Sequence, residues 1–408
     1  MPGEKEKKTK GFSFLKLALF LLIVILVAGV ALYSFMGINP ADMLVDGFAG
    51  LYNRVLTVGA EELTETVKQI ITYDSSERLS CTVVSNDLAV ATISSVKIYD
   101  SEGREKGYIP VNLKKPYVQA YKKDILVADL EGRYFGLINE GKLLWEKSTD
   151  EDIVNANLSE NWILLITKSK QSGYKRTVRA YSRDGQEVSM RIVSDYYPYA
   201  VFHYPEFNET SFVIAGMEAS GLEANSLFEF LDPSMNQKAS IRGNKEVFAE
   251  GIPLKKNSLL LYGEHSLISV DPTYKTLWEK EITDATITCA NAIQQQYPVV
   301  AELNSDVLAR EKKYETTVRI LESNGSEKAS LVLDAMVTGI ASTGRTAALK
   351  AGSEVFFINA AGEVMDHYTA NADIAEVYLA GEDLAYIVSA GTINRIKVKV
   401  TNKFLGIF

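Results

Sequence analysis

The chain has 408 residues, of which 47% are hydrophobic and 23% are charged, so it can bury a large core and is not a disordered chain. Its formal net charge is −9 at pH 7. An acidic balance argues against a nucleic-acid-binding protein and against adhesion of the globular part to anionic lipid.

The N-terminus carries a basic tail followed by an apolar segment. Residues 1–16 contain five Lys and two Glu, whereas residues 17–36 (LALFLLIVILVAGVALYSFM) contain no charged residue. A helix of 20 residues spans about 30 Å, the thickness of the hydrocarbon core of a bilayer. We therefore predict one transmembrane helix at 17–36, with the tail 1–16 in the cytoplasm and the C-terminal part outside the cell membrane.

The alternative for this segment is a cleaved signal peptide. Gly29-Val30-Ala31 has the small-x-small pattern of a cleavage site. The apolar run continues past it to Met36, however, and so exceeds the roughly 7–15 residues of a signal-peptide core. The sequence therefore favours an uncleaved, single-pass anchor.

Residues 37–63 are predicted to form a juxtamembrane helix and a linker. Asn39 is a suitable N-cap, and Pro40 suits the first turn of a helix. Helical spacing relates the apolar residues that follow, which are Leu44, Phe48, Leu51 and Val55. We expect a helix over 40–57 that lies on the membrane or packs on the globular part.

Short strand-like segments separated by turn residues begin at about residue 64. One unit recurs seven times, as an apolar strand that ends in a polar turn with Gly or Pro. The copies are VKIYDSEGRE (96–105), YFGLINEGKL (134–143), VRAYSRDGQE (178–187), LFEFLDPSMN (227–236), SLISVDPTYK (266–275), VRILESNGSE (318–327) and VFFINAAGEV (355–364). Their turns are 36–52 residues apart, and units of this length with four strands each are typical of β-propeller blades.

An eighth unit, residues 374–400, supplies three strands. A strand at 64–74 completes it by pairing with 393–400, which closes the ring and covers an exposed strand edge. We therefore predict an all-β fold, an eight-bladed β-propeller over residues 64–404 closed by its N-terminal strand. A seven-bladed ring is the alternative, but it needs about 47 residues per blade and leaves one unit unexplained.

Two units share the segment Leu-Trp-Glu-Lys, which places Trp145 and Trp278 on the outer strands of blades 2 and 5. The stretch INEGKLLWEK resembles the repeat of quinoprotein-type propellers, in which Gly-x-x-x-Trp docks an indole between adjacent blades. Gly141 and Trp145 match this pattern, whereas Tyr274 replaces the glycine before Trp278. The resemblance implies a structural role for Trp145, Trp278 and Gly141, with stacking on a ligand as the alternative.

The strands DLAVATISSVKIYDSEG and NWILLITKSKQSGYKRTVRAYSRDGQ carry a second resemblance. Together with the basic tail, the single span and the repeats, they resemble the domain of unknown function 5711, a family of single-pass, membrane-anchored propeller proteins of clostridial-type bacteria. The blades also resemble WD40-like repeats. Because the family has no assigned activity, this resemblance implies a fold and a layout but no mechanism.

Residue patterns for catalysis and metal binding are lacking. His203, His265 and His367 have no second histidine or carboxylate at ligand spacing, and the chain contains no phosphate-binding loop or nucleophile elbow. Quinone-dependent dehydrogenases resemble this ring, but they use a vicinal disulfide, and this chain has no adjacent cysteines. We predict that the protein is not an enzyme and has no catalytic residues, cofactor or metal site.

The two cysteines, Cys81 and Cys289, fall on the predicted inner strands of blades 1 and 6. An extracytoplasmic location permits a disulfide. Blades 1 and 6 are three apart around the ring, however. The two Cα atoms should therefore be farther apart than the ~7 Å that a disulfide tolerates. We predict two buried free thiols.

Candidate binding residues lie in three segments: the aromatic stretch SDYYPYAVFHYPEF (194–207) and the charged stretches KSKQSGYKR (168–176) and REKKYE (310–315). Strands alternate in direction, so 168–176, 194–199 and 310–315 are predicted to share the face opposite to the start of strand 64–74, where loops are suited to recognition. The alternatives are core packing for the aromatic rings and solvated hairpin tips for the charged loops. The candidate residues are Tyr196, Tyr197, Tyr199, Tyr204, Lys170, Lys175, Arg176, Lys312 and Lys313.

The sequence therefore favours a membrane-anchored, extracytoplasmic propeller that serves as a binding or assembly platform for envelope proteins or a cell-wall polymer. One alternative is a ligand sensor that signals through the single span, although a tail of about 16 residues leaves no room for an output domain. The other is a glycan-active hydrolase, which needs two carboxyl groups about 5–9 Å apart at the channel mouth.

Overall fold

The computed structural model describes residues 65–220, 223–243, 246–255 and 257–399. These residues form eight four-stranded antiparallel sheets, the blades of a closed propeller. The prediction of an all-β, eight-bladed propeller is confirmed. Within the described ranges one helix occurs, α1 (Ser305–Glu311), between two strands of blade 6.

Each of the first four blades takes its strands from consecutive chain, from the inner to the outer strand. Blade 1 contains β2 (Ser80–Val84), β3 (Asp87–Ala91), β4 (Ser95–Tyr99) and β5 (Glu105–Pro110), and blade 2 contains β6 (Pro116–Tyr121), β7 (Asp124–Asp129), β8 (Tyr134–Asn139) and β9 (Lys142–Ser148). Blade 3 contains β10 (Ile153–Leu158), β11 (Trp162–Lys168), β12 (Arg176–Ser182) and β13 (Glu187–Val193), and blade 4 contains β14 (Tyr197–His203), β15 (Phe212–Ser220), β16 (Glu223–Leu231) and β17 (Gln237–Arg242).

The last blade alone combines both ends of the globular part. Blade 5 contains β18 (Glu250–Leu254), β19 (Ser258–Tyr262), β20 (Ser266–Val270) and β21 (Thr276–Glu281), and blade 6 contains β22 (Ala285–Ile293), β23 (Tyr297–Asn304), β24 (Thr316–Leu321) and β25 (Glu327–Leu333). Blade 7 contains β26 (Gly339–Thr343), β27 (Thr346–Ala351), β28 (Glu354–Ile358) and β29 (Val364–Thr369), and blade 8 contains β30 (Ile374–Leu379), β31 (Leu384–Ser389), β32 (Thr392–Lys397) and β1 (Glu65–Thr72).

The N-terminal strand β1 closes the ring. It pairs antiparallel with β32, from Glu65 opposite Lys397 to Thr72 opposite Thr392. Blade 8 is joined to blade 1 by the hydroxyl of Tyr386, which donates to the carbonyl of Asn86 at 2.9 Å. The predicted pairing of the two ends is therefore observed, and it covers an edge that would otherwise be open.

Because the strands are antiparallel, the loops divide between two faces. Loops that join the first strand to the second, and the third to the fourth, lie on the face where β1 begins, which we call the proximal face. Loops that join the second strand to the third, and one blade to the next, lie on the opposite, distal face. The helix α1 belongs to the distal face because it joins β23 to β24.

Burial is greatest in the middle of each blade and falls toward its outer edge. In β11 all residues from Ile163 to Thr167 are buried, whereas β13 alternates between exposed and half-buried positions over most of its length. A second strand is covered on both faces by neighbouring blades, so its sequence is a continuous apolar run. Since a buried Leu or Ile contributes about 1.5–3 kcal/mol, these strands supply much of the stability.

The repeated turns between third and fourth strands are held by a side chain. Asp100 Oδ1 accepts hydrogen bonds from the backbone N–H groups of Glu102 and Arg104, both at 2.9 Å. Three residues after the first turn residue, the backbone adopts a positive φ, which glycine adopts without steric cost. This position is held by Gly103, Gly185, Met235, Tyr274, Gly325 and Gly362.

Polar side chains join the inner strands of neighbouring blades. An inner strand has one unpaired edge, and its buried N–H groups need acceptors. In blades 1 to 4, side-chain oxygens of one blade accept from backbone N–H groups of the next. The pairs are Ser80 with Val118 (3.2 Å), Thr82 with Ala120 (3.1 Å), Gln119 with Leu158 (2.7 Å), Asn155 with Val201 (3.1 Å) and Asn157 with His203 (3.3 Å).

Both cysteines are buried free thiols, as predicted. Cys81 lies on β2 and Cys289 on β22, the inner strands of blades 1 and 6. Burial raises the pKa of Cys81 to about 12 and that of Cys289 to about 11. Both therefore remain neutral thiols with little nucleophilic character at physiological pH.

The predicted transmembrane helix 17–36, its tail 1–16 and the helix 40–57 lie outside the described residues. In the part of the chain that is described, no helix is long and apolar enough to span a bilayer. The anchor therefore stays a prediction from the sequence.

Candidate binding surface

Both tryptophans of the repeated segment connect an outer strand to the next blade. Trp145 Nε1 on β9 donates to the carbonyl of Arg183 in blade 3, and Trp278 Nε1 on β21 donates to the carbonyl of Ser323 in blade 6, each at 2.9 Å. The Trp145 ring also meets Phe135 edge-on, with centroids 5.6 Å apart. Each indole thus joins an outer strand to a turn of the next blade.

The glycine beneath each indole belongs to the blade that receives it. A Cβ atom at Gly185 would lie 3.2 Å from Trp145 Cδ2, and one at Gly325 would lie 2.8 Å from Trp278 Cδ2. Gly141, the glycine of the Gly-x-x-x-Trp pattern, instead lies against Gly107 of blade 1. Within the Gly-x-x-x-Trp pattern, the glycine therefore contacts the preceding blade and the tryptophan contacts the following blade.

Two tyrosines of the aromatic stretch are anchored in the fold. Tyr196 is fully buried and its hydroxyl donates to Glu229 Oε2 at 2.5 Å. The Tyr199 hydroxyl donates to the carbonyl of Phe248 at 2.5 Å, and burial raises the pKa of Tyr199 to about 12. Neither hydroxyl is free to contact a ligand in this arrangement.

The other two predicted tyrosines differ in exposure. Tyr204 packs between blades 4 and 5 and stacks on Phe202, with ring centroids 5.6 Å apart. Tyr197 is 43% exposed, and the Lys175 ammonium lies 4.2 Å from its ring centroid. Of this set, Tyr197 with Lys175 forms an exposed cation–π pair on the distal face.

The other predicted basic residues lie on or near distal loops. Lys170 Nζ is 3.4 Å from Glu151 Oε1, and Arg176 begins β12. Lys312 caps the C-terminus of α1 with φ of 59°, and Lys313 lies beside it. The predicted loop 310–315 therefore contains the end of a helix that the sequence analysis missed.

A cavity of about 610 Å³ lies on the distal face where blade 5 meets blade 6. It is lined by the connection between β21 and β22, the end of β23, α1 and the start of β24. Its charged lining comprises three cations and five carboxylates, a formal net charge of −2: Lys280, Arg310, Arg319, Glu281, Asp284, Glu302, Asp306 and Glu311.

Glu302 is the buried acid of this cavity. Its side chain is 4% exposed, and Oε2 accepts from Arg319 Nε at 2.8 Å. This bond, together with Glu327, raises the pKa of Arg319, so the guanidinium stays charged. Among the described residues, Glu302 Oε1 has no hydrogen-bond partner, which is costly for a buried carboxylate.

A second acid lies on an inner strand. Glu250 lies on β18, the inner strand of blade 5, and desolvation raises the pKa of its carboxyl. Burial, and then the charge of Glu250, raises the pKa of Tyr117 on the inner strand of blade 2. The charge of Glu250 therefore acts on a tyrosine three blades away around the ring.

His203 is a satisfied core histidine. Its Nδ1 lies 2.8 Å from Ser159 Oγ of blade 3, and its Nε2 lies 3.0 Å from the carbonyl of Glu209. Burial lowers the pKa of His203, partly opposed by the Glu209 carbonyl and nearby carboxylates. No cluster of three or more His, Cys, Asp or Glu side chains suited to a metal occurs among the described residues.

Sequence reasoning missed Glu302 and the cavity around it. The available signal was a charged residue inside the apolar run YPVVAELN of β23. The cavity itself depends on a connection from blade 5 and a helix from blade 6, which no local pattern brings together.

The sequence model of a family of unknown function, DUF5711, matches residues 61–398. No curated protein matches the sequence. Among solved structures, Sqt1 of Saccharomyces cerevisiae matches with a TM-score of 0.60 and 11% identity, over 83% of this chain and all of that chain. The Dos1 propeller matches with a TM-score of 0.57 and 12% identity, over 81% of this chain and 95% of that chain. The WD40 domain of SCAP from fission yeast matches with a TM-score of 0.51 and 12% identity, over 81% and 98% of the two chains. These similarities show the propeller fold alone.

Proposed function

We propose that this chain, which belongs to the DUF5711 family of unknown function, is a membrane-anchored, extracytoplasmic propeller whose distal face is a protein-binding platform. Its partners are envelope proteins, with a cell-wall polymer as the second candidate. The protein has no catalytic activity of its own in this proposal.

The position of β1 carries the proposal. The chain reaches the ring on the proximal face, where Glu65 begins β1. A tether at the N-terminus would hold that face toward the membrane and leave the distal face to solvent. The distal face also bears α1, the cavity of blades 5 and 6 and the exposed Tyr197–Lys175 pair. Loops on a rigid scaffold are where recognition is usually located.

Site-specific photo-crosslinking in intact cells tests the platform. The full-length protein would carry benzoylphenylalanine at Tyr174 or Tyr314, which are 44% and 52% exposed on distal loops. The matched control places it at the exposed Ala361, in a proximal turn of blade 7. We expect discrete protein adducts from the distal positions and none from Ala361. Equal adducts from both faces, or none from either, contradict the proposal, and glycan adducts alone favour the polymer.

The extracytoplasmic location has its own test. Because both native thiols are buried, an Ala361→Cys variant presents a single accessible thiol among the described residues. A membrane-impermeant maleimide should label this variant in intact cells to the same extent as in lysed cells. Labelling only after lysis would show that the propeller lies inside.

A further inference from the structure

The cavity between blades 5 and 6 has an excess of negative charge that its own cations do not compensate. Arg319 is engaged by Glu302 and Glu327, and Arg310 lies 3.6 Å from Asp306. Glu281 and Asp284, between blades 5 and 6, form no ion pair among the described residues. An occupant of positive charge is therefore favoured electrostatically.

A buried, unsatisfied oxygen points to the same chemistry. Glu302 lines the cavity, and its Oε1 has no hydrogen-bond partner among the described residues. A donor supplied by a ligand would satisfy it and remove a desolvation cost.

At the equivalent boundary, between blades 2 and 3, a loop of the protein itself supplies a carboxylate to the arginine. Glu151, six residues after Trp145, lies 3.4 Å from Arg179 Nη2. Asp284, six residues after Trp278, is exposed and is contacted by Thr283 Oγ1 at 3.3 Å. In blade 6 the loop residue Asp284 thus forms no ion pair with Arg319, and Arg319 lines the cavity.

We propose that this cavity binds a primary ammonium group, presented as a lysine side chain by a partner polypeptide, with Glu302 as its counter-ion. An ammonium makes single-point hydrogen bonds and suits one free oxygen. A guanidinium prefers both oxygens of a carboxylate, and Arg319 already occupies one of them. This inference rests on the proposed binding function and specifies the chemistry of the partner.

Peptide binding by the full-length protein tests the inference. The probes are acetyl-Gly-Ser-Lys-Ser-Gly-amide and its norleucine and arginine counterparts, measured by saturation-transfer NMR and calorimetry. We expect the lysine peptide to bind, the arginine peptide to bind several-fold more weakly and the norleucine peptide not to bind. Binding of the lysine peptide should weaken as salt increases, because salt screens the attraction between the ammonium and the carboxylates of the cavity. Equal binding of the lysine and norleucine peptides overturns the inference.

Two variants separate the cavity from general effects. Glu302→Gln should reduce the affinity for the lysine peptide at least tenfold. Glu229→Gln is the matched control, because Glu229 is also a buried acid, but Arg191 and Tyr196 occupy both of its oxygens in blade 4. Unchanged binding in Glu302→Gln, or an equal loss in both variants, overturns the inference.

If Glu302→Gln fails to fold, a rim variant replaces it. Glu281→Lys combined with Asp284→Lys reverses the charge of two exposed residues and leaves Glu302 in place. The same tenfold loss is expected, and unchanged binding contradicts the inference. Binding of 1,5-diaminopentane as tight as that of the peptide would overturn the assignment to a polypeptide. Distal crosslinks without lysine-peptide binding would remove this inference and leave the platform standing.

Discussion

Blades 3 and 6 each receive a tryptophan from the preceding blade, but their third-strand arginines are paired in different ways. In blade 3, Arg179 is bonded by Glu187 at 2.9 Å and by the loop residue Glu151 at 3.4 Å. In blade 6, Arg319 is bonded by Glu327, the counterpart of Glu187, and by Glu302 on the second strand.

The strand register explains this difference. Thr167 faces Thr177 in blade 3, and Glu302 faces Thr317 at the corresponding place in blade 6. The second acid that bonds the arginine is thus a loop residue in blade 3 and a residue of the second strand in blade 6. A repeat can therefore preserve its docking contact while the surface beside that contact changes. Four experiments test how far the two boundaries are equivalent.

Removing the indoles should have the largest effect. We expect Trp145→Ala and Trp278→Ala each to lower the free energy of unfolding by about 3–5 kcal/mol. Trp145→Ala should cost about 0.5–1.5 kcal/mol more, since only Trp145 has the edge-on contact with Phe135. Chemical denaturation measures both. The flanking, exposed Leu144 and Leu277 are matched controls, and their alanine variants should stay within about 0.5 kcal/mol of wild type. Equal losses at the leucines would contradict the docking role.

Adding a methyl group beneath each indole should have the next largest effect. Gly325→Ala should destabilise by about 2–4 kcal/mol, from the left-handed backbone and from contact with Trp278. Gly185→Ala should cost somewhat less, because its Cβ would be 3.2 Å rather than 2.8 Å from Cδ2 of the indole. The control is Gly173→Ala, which has φ of +87° and no atom within 4 Å, so it measures backbone strain alone at about 1–2 kcal/mol. A loss at Gly173 equal to that at Gly325 would rule out the steric contact.

Neutralising the two loop acids should separate the boundaries directly. Glu151→Gln weakens a charged pair with Arg179 and should cost about 1–2 kcal/mol. Asp284→Asn, at the equivalent exposed position, should change stability by less than about 0.5 kcal/mol. Thermal and denaturant unfolding measure both. A larger loss for Asp284→Asn would mean that the two loops are not arranged as described.

The smallest expected effect is on the pH dependence of stability. Burial lowers the pKa of His203 in the folded protein below the unfolded value of about 6.5. The unfolded state therefore binds the proton more readily, and stability should fall as the pH drops below about 6.5. His203→Gln should reduce the loss between pH 7.5 and 5.5. His265→Gln, at an exposed position between blades 5 and 6, controls for the substitution itself. An identical pH profile for wild type and His203→Gln would contradict this prediction.

Local patterns were sufficient to predict the fold. Alternating strands and turn residues define each blade, and the three strands at 374–400 required a fourth, which β1 provides. Contacts between blades were less accessible, because they join residues about 40 positions apart in sequence. The glycine beneath Trp145 is Gly185, and the sequence pattern pointed to Gly141.

The candidate site was predicted only in part, for the same reason. The distal loops were predicted, but which of the neighbouring rings Tyr196 and Tyr197 would be buried and which exposed was not. Glu302 interrupts an apolar strand, and its meaning depends on Arg319 in the adjacent strand. The polar residues of the inner strands, such as Asn155 and Asn157, serve backbone groups of another blade, which a single strand does not reveal.

Of the described strands, β1 is the first to be synthesised, and its partner β32 is the last. Its partner β32 ends at Lys397, about 325 residues after Thr72, so at 5–20 residues per second β1 waits roughly 15–65 s for it during synthesis. Throughout that interval the nascent chain carries two unpaired edges that neighbouring chains can join. Translation that stops before residue 392 should therefore yield fragments that aggregate. Full-length synthesis requires protection from aggregation until the final strand emerges.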